Sequence, residues 1–95
     1  MSRSDTNLRH LGVDQASKIA LGALVWILGE PDRAWRLLDL TGLDPAGLRA
    51  GAGNRAVQAA VLAFLANHEP DLVACAAAID YEPPVLIRAK EVLES

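Results

Sequence analysis

The reactive side chains of this sequence are few: one cysteine, Cys75, two histidines, His10 and His68, and acid pairs such as Glu30 with Asp32 and Asp80 with Glu82. A cysteine nucleophile needs a base and an acidifying positive charge beside it. Neither lies at helical spacing from Cys75, which therefore reads as a small buried apolar residue. A lone cysteine forms no internal disulfide, and two histidines far apart in sequence offer no metal-ligand spacing. His68 falls at the end of a helical pattern, where its charged form suits the negative end of the helix dipole, and the acid pairs fall at helix starts, where negative charge is favoured. With no nucleophile, base and orienting group in one pattern, the chain is expected not to be an enzyme and to hold no metal or cofactor.

One run imitates a cofactor site. Gly51-Ala52-Gly53-Asn54-Arg55-Ala56 spells G-x-G-x-x-A and opens a helix, as a dinucleotide-binding turn does. That motif must follow a β-strand, whereas Pro45 to Ala50 reads as a helical turn, so the run is expected to be a plain connection between two helices. Arg33, Arg36 and Arg55 could form a basic stripe for nucleic acid, but Glu30, Asp32 and Asp39 interleave with them, as on a solvated face. Arg49 and Arg88 could each offer bidentate donors to a carboxylate or phosphate of a partner, the simpler reading being a local pair or cap. Trp26 and Trp35 are large, rigid and able to donate one hydrogen bond each, which suits the centre of a protein interface. Burial in the core is the simpler expectation for each.

These residues must be carried by helices. A chain of 95 residues makes one domain, and 52% hydrophobic against 22% charged residues calls for a packed core rather than disorder. It is rich in Ala and Leu and poor in the aromatic and β-branched residues that strands prefer. Residues 1–13 have no sustained periodicity and read as a flexible arm, leaving 14–95 as a single helical domain. Asp14 can cap a first helix that runs to Gly29. Glu30-Pro31 opens a second, with Trp35, Leu37, Leu38 and Leu40 on its apolar side, and Thr41-Gly42 ends it. Asp44-Pro45 starts a short third helix carrying Leu48 and Arg49. Asn54 caps a fourth in which Val57, Ala60, Val61, Phe64 and Leu65 share one face. Glu69-Pro70 starts a fifth, with Leu72, Val73, Cys75, Ala76 and Ile79 inward, and Pro83-Pro84 a sixth, with Val85, Leu86, Ala89, Val92 and Leu93 inward. The expected fold is an all-α compact bundle of five or six short helices, the first and fourth at its centre.

Shifting the chain by 39 residues aligns Gln15–Gly53 with Asn54–Val92 without gaps. Glu30-Pro31-Asp32 falls on Glu69-Pro70-Asp71, Pro45 on Pro84, Arg49-Ala50 on Arg88-Ala89, and Ala20 on Ala59. The matches cluster at helix starts, which suggests two pseudo-repeated three-helix halves.

The run Ala20-Leu21-Gly22-Ala23-Leu24-Val25-Trp26-Ile27 with Glu30-Pro31, the stretch Thr41-Gly42-Leu43-Asp44-Pro45-Ala46-Gly47-Leu48-Arg49, and Val61-Leu62-Ala63-Phe64-Leu65 together resemble a family of small bacterial proteins known as domain of unknown function 3572. The resemblance covers about residues 15–93. It implies a compact helical cytoplasmic protein and supplies no activity, ligand or catalytic residue.

A net charge of −3 gives no global basic field, so nucleic acid is not the expected partner. The longest run of apolar residues and glycine, Ile19 to Gly29, is shorter than the roughly 18–20 residues that span a bilayer, and Met1–Asp14 lacks a signal-peptide pattern, so a cytoplasmic location is expected. Helix one is apolar almost all the way round, more than six short helices readily cover. The expected role is a non-catalytic protein–protein interaction module, binding another protein or a second copy through Trp26 and Trp35, with Arg49 and Arg88 as further contacts. The alternative is a small nucleic-acid-associated regulator using Arg33, Arg36 and Arg55.

Overall fold

Proline sets most of the helix starts in this chain, because the first turn needs no backbone N–H from it. The computed structural model describes residues 11–95, and the first ten positions of the expected arm, His10 among them, lie outside the described residues. The helices are α1 (Val13–Leu28), α2 (Pro31–Thr41), α3 (Pro45–Ala50), α4 (Arg55–Ala66), α5 (Glu69–Ala78) and α6 (Pro83–Glu94). No strand occurs among the described residues. Pro31, Pro45, Pro70 and Pro83 all stand in first turns.

Two helices have the side-chain caps that their sequences announce. Asp44 Oδ1 accepts from the Gly47 N–H at 2.6 Å, and Asn54 Oδ1 accepts from Ala56 and Val57 at 2.8 and 3.2 Å. Asp14 does not cap α1. Extended backbone at Gly12 takes the N-cap position without a side-chain bond, and Asp14 lies within the first turn, where its charge still suits the positive end of the dipole. Gly42 closes α2 at φ 72°, a left-handed conformation that glycine adopts without strain, and donates to Leu38 O at 2.9 Å. Asn54→Ala should cost about 1 kcal/mol, which in a domain of this size lowers the melting temperature by roughly 4–8 °C. Thermal unfolding followed by circular dichroism reads the change.

The core centres on three helices rather than two. α6 packs against both α1 and α4, which also pack on each other, while α2, α3 and α5 lie around this trio. Ile19 and Ile27 of α1, Leu62 and Leu65 of α4 and Leu86 of α6 are fully buried, and Leu37, Leu48 and Cys75 fasten α2, α3 and α5 to the same core. The expectation of a centre made by the first and fourth helices alone is therefore corrected to include α6. Its Val85, Leu86, Ala89 and Leu93 make a stripe wide enough for two neighbours.

The helices pair in the order that the 39-residue shift demands: α1 with α4, α2 with α5, α3 with α6. The third pair is unequal. Gly51 follows α3 after only 6 residues, whereas α6 continues for 12, so only the second half contributes its third helix to the centre.

Candidate interaction surface

Polar chemistry on this fold is largely consumed by the fold itself. Arg33 reaches from α2 back to α1, where its guanidinium stacks 3.7 Å from the Trp26 ring centroid and its Nη2 donates to Trp26 O at 2.7 Å. One cation thus caps the negative end of α1 and rests on an aromatic face. Arg36 Nη2 lies 3.2 Å from Asp71 Oδ2, with His68 Nε2 at 3.8 Å from the same oxygen, so one carboxylate of α5 ties α2 to the α4–α5 turn. Arg55 donates to Val92 O and Ser95 O at 3.0 and 3.1 Å, satisfying carbonyls at the end of α6. The three arginines of the basic stripe are engaged within the chain.

Arg49 and Arg88 do not act as a pair. Arg88 Nη1 takes a local partner, Glu91, at 3.3 Å on its own helix. Arg49 is exposed and borders a cleft of about 290 Å³ walled by Leu24, Leu28, Ala34, Leu38 and Leu48. Among the described residues it has no ion-pair or hydrogen-bond partner.

The Gly51–Ala56 run is a turn between α3 and α4, without the strand that a dinucleotide site needs. Its glycine has a packing reason: a Cβ at Gly51 would meet Val57 Cγ2 at 2.9 Å. Gln58, buried on α4, donates from Nε2 to Ala52 O at 2.8 Å and holds the turn in place. Among the described residues no group of three or more His, Cys, Asp and Glu side chains converges, and no helix is long and apolar enough to cross a membrane.

Cys75 is wholly buried on α5. Burial pushes its thiol up to about 11, outweighing the downward pull of the Arg33 guanidinium, and the Asp71 carboxylate adds to the rise. The native protein should resist thiol alkylation at neutral pH and react only on unfolding. Because the unfolded thiol loses its proton near 9.0 and the folded one near 11, the unfolded state binds fewer protons in that window, and stability falls as pH rises through it. Denaturant melts across that range should show this fall in the native sequence and a shallower one in Cys75→Ala.

What remains is apolar surface. Trp35, expected in the core, is 70% exposed on the outer side of α2, because α2 turns Leu37 to the interior. Leu40 and Val73, also expected inward, are exposed. Trp26 is half-buried under Arg33. On α1, Leu21, Val25 and Leu28 are 38, 73 and 48% exposed and follow Asp14 and Lys18 along one stripe, at steps of four, three, four and three residues. That spacing is the a/d seam of a coiled coil. The surplus of apolar residues on this helix is plain from composition alone, whereas the seam goes unnoticed unless the alternating step is sought.

A family model described as Protein of unknown function (DUF3572) matches residues 13–95. No curated protein and no solved structure matches the chain.

Proposed function

This chain belongs to the family of proteins of unknown function DUF3572, and from its surface we propose that it is a non-catalytic protein–protein interaction module of the bacterial cytoplasm. The observation that carries this reading is the bare seam of Leu21, Val25 and Leu28 on α1, with Trp35 exposed on α2. Large apolar side chains aligned on one helix face cost free energy in water and gain it on docking, at about 25 cal/mol per Å² covered. A regulator that grips nucleic acid through Arg33, Arg36 and Arg55 would need those cations free. Their commitments to Trp26, Asp71 and the end of α6 favour a protein partner over a phosphate backbone. A single buried thiol suits a reducing compartment.

The test is co-purification from the native host with Val25→Lys and Trp35→Ala, both at exposed positions where folding tolerates change. The expected result is a reproducible protein partner, or a second copy of the chain, held by the native sequence. Both variants should release it at unchanged helicity and melting temperature. Retention of the partner by both would overturn the reading.

A further inference from the structure

Resting on that reading and naming the partner, we propose that the α1 seam is covered by a second copy of this chain, lying antiparallel about a two-fold axis at Val25. The seam is divided in kind. Leu21, Val25 and Leu28 form its C-terminal part, and Asp14 and Lys18, both exposed, form its N-terminal part. A parallel pair in register would set every residue against its own copy, including Asp14 against Asp14 and Lys18 against Lys18, like charges at close range.

An antiparallel pair centred on Val25 removes that conflict. Leu21 then packs beside Leu28 of the copy, and the two helix dipoles oppose each other favourably. Lys18 lies about 10.5 Å from the axis, at about 1.5 Å of rise per residue. That carries it beyond Leu28 of the copy to the turn and the start of α2 that follow, where Glu30 and Asp32 are both exposed. Among the described residues, Lys18, Glu30 and Asp32 form no ion pair. The symmetry makes the Lys18-to-acid contact twice. Apolar groups meet at the centre and opposite charges at the rim, as in specific interfaces.

The other half of the chain shows what such a face looks like when covered. Under the 39-residue shift Val25 corresponds to Phe64, which is buried beneath α2 with the Arg36 guanidinium 5.8 Å from its ring. Val25 has no such roof.

Sedimentation of the full chain over a concentration series tests this with four proteins. The native sequence should pass from monomer to dimer as concentration rises, and Val25→Lys should weaken association at least about tenfold without loss of helicity. Lys18→Glu alone should weaken it comparably, and so should Glu30→Lys combined with Asp32→Lys. Mixing these last two proteins should restore a heterodimer of near-native affinity. In that pair the acid introduced at position 18 of one chain meets the introduced lysines of the other, whose own Lys18 meets native Glu30 and Asp32. A native protein that stays monomeric at every concentration overturns the proposal, and so does a dimer indifferent to Val25→Lys. Loss in both charge variants without recovery on mixing overturns the antiparallel register. If the protein is monomeric yet Val25→Lys still releases a different protein from the native host, the interaction reading stands and the second copy does not.

Discussion

Leu65→Ala is expected to lower the free energy of unfolding by about 2–5 kcal/mol, the usual loss when a buried leucine is cut to alanine. Leu65 is wholly buried on α4, the helix that packs against α1, α2, α5 and α6. Part of the loss is the transfer of the removed carbons, and part is the cavity left where neighbours cannot close in. Closure is hindered here because the surrounding core is built from several helices at once, so moving one helix inward opens a gap against another. A domain of this size holds about 5–15 kcal/mol in total, which makes the change a large fraction of it. Urea unfolding should show a lower midpoint at unchanged slope. Phe64→Ala should act in the same direction. A loss below about 1 kcal/mol for Leu65→Ala would show that α4 is not the centre of this core.

Helix starts are legible in the sequence because capping is local. Proline in a first turn, Asp44 and Asn54 each act on backbone groups within three residues, so nothing distant can override them. The inward stripe of α4 is legible for a similar reason: Val61, Phe64 and Leu65 recur at helical spacing on one face. Legibility fails where the faces of a helix differ little or where tertiary pairing decides. α5 is alanine-rich on most sides, so its pattern allows Val73 inward while the fold leaves it exposed. Size and apolarity point Trp35 to the core, yet α2 buries the nearby Leu37 instead. The stacking of Arg33 on Trp26 crosses the turn between two helices, a contact that no single-helix periodicity encodes. The α1 seam sits between these cases. Its residues can all be read, but which side of an all-round apolar helix stays bare depends on where α4, α5 and α6 settle.

Ending the chain after Glu82, which removes α6, is expected to abolish cooperative folding altogether. Burial of Val85, Leu86 and Leu93 is lost, at about 1.5–3 kcal/mol for each large side chain, and the faces of α1 and α4 that α6 covers are opened to water as well. Arg55 loses both of its carbonyl acceptors. Those losses together reach the whole stability of a small domain. The truncated chain should show reduced helicity and no sigmoidal thermal transition. Two views of the architecture separate on this result. If the 39-residue repeat makes two autonomous halves, α1 to α3 lose nothing within their own half and should still melt cooperatively. If α1, α4 and α6 form one shared centre, the first half has no core of its own, because α3 stops after 6 residues and cannot take the place that α6 fills. The packing favours the second view, and a cooperative transition in the truncated chain would reverse it.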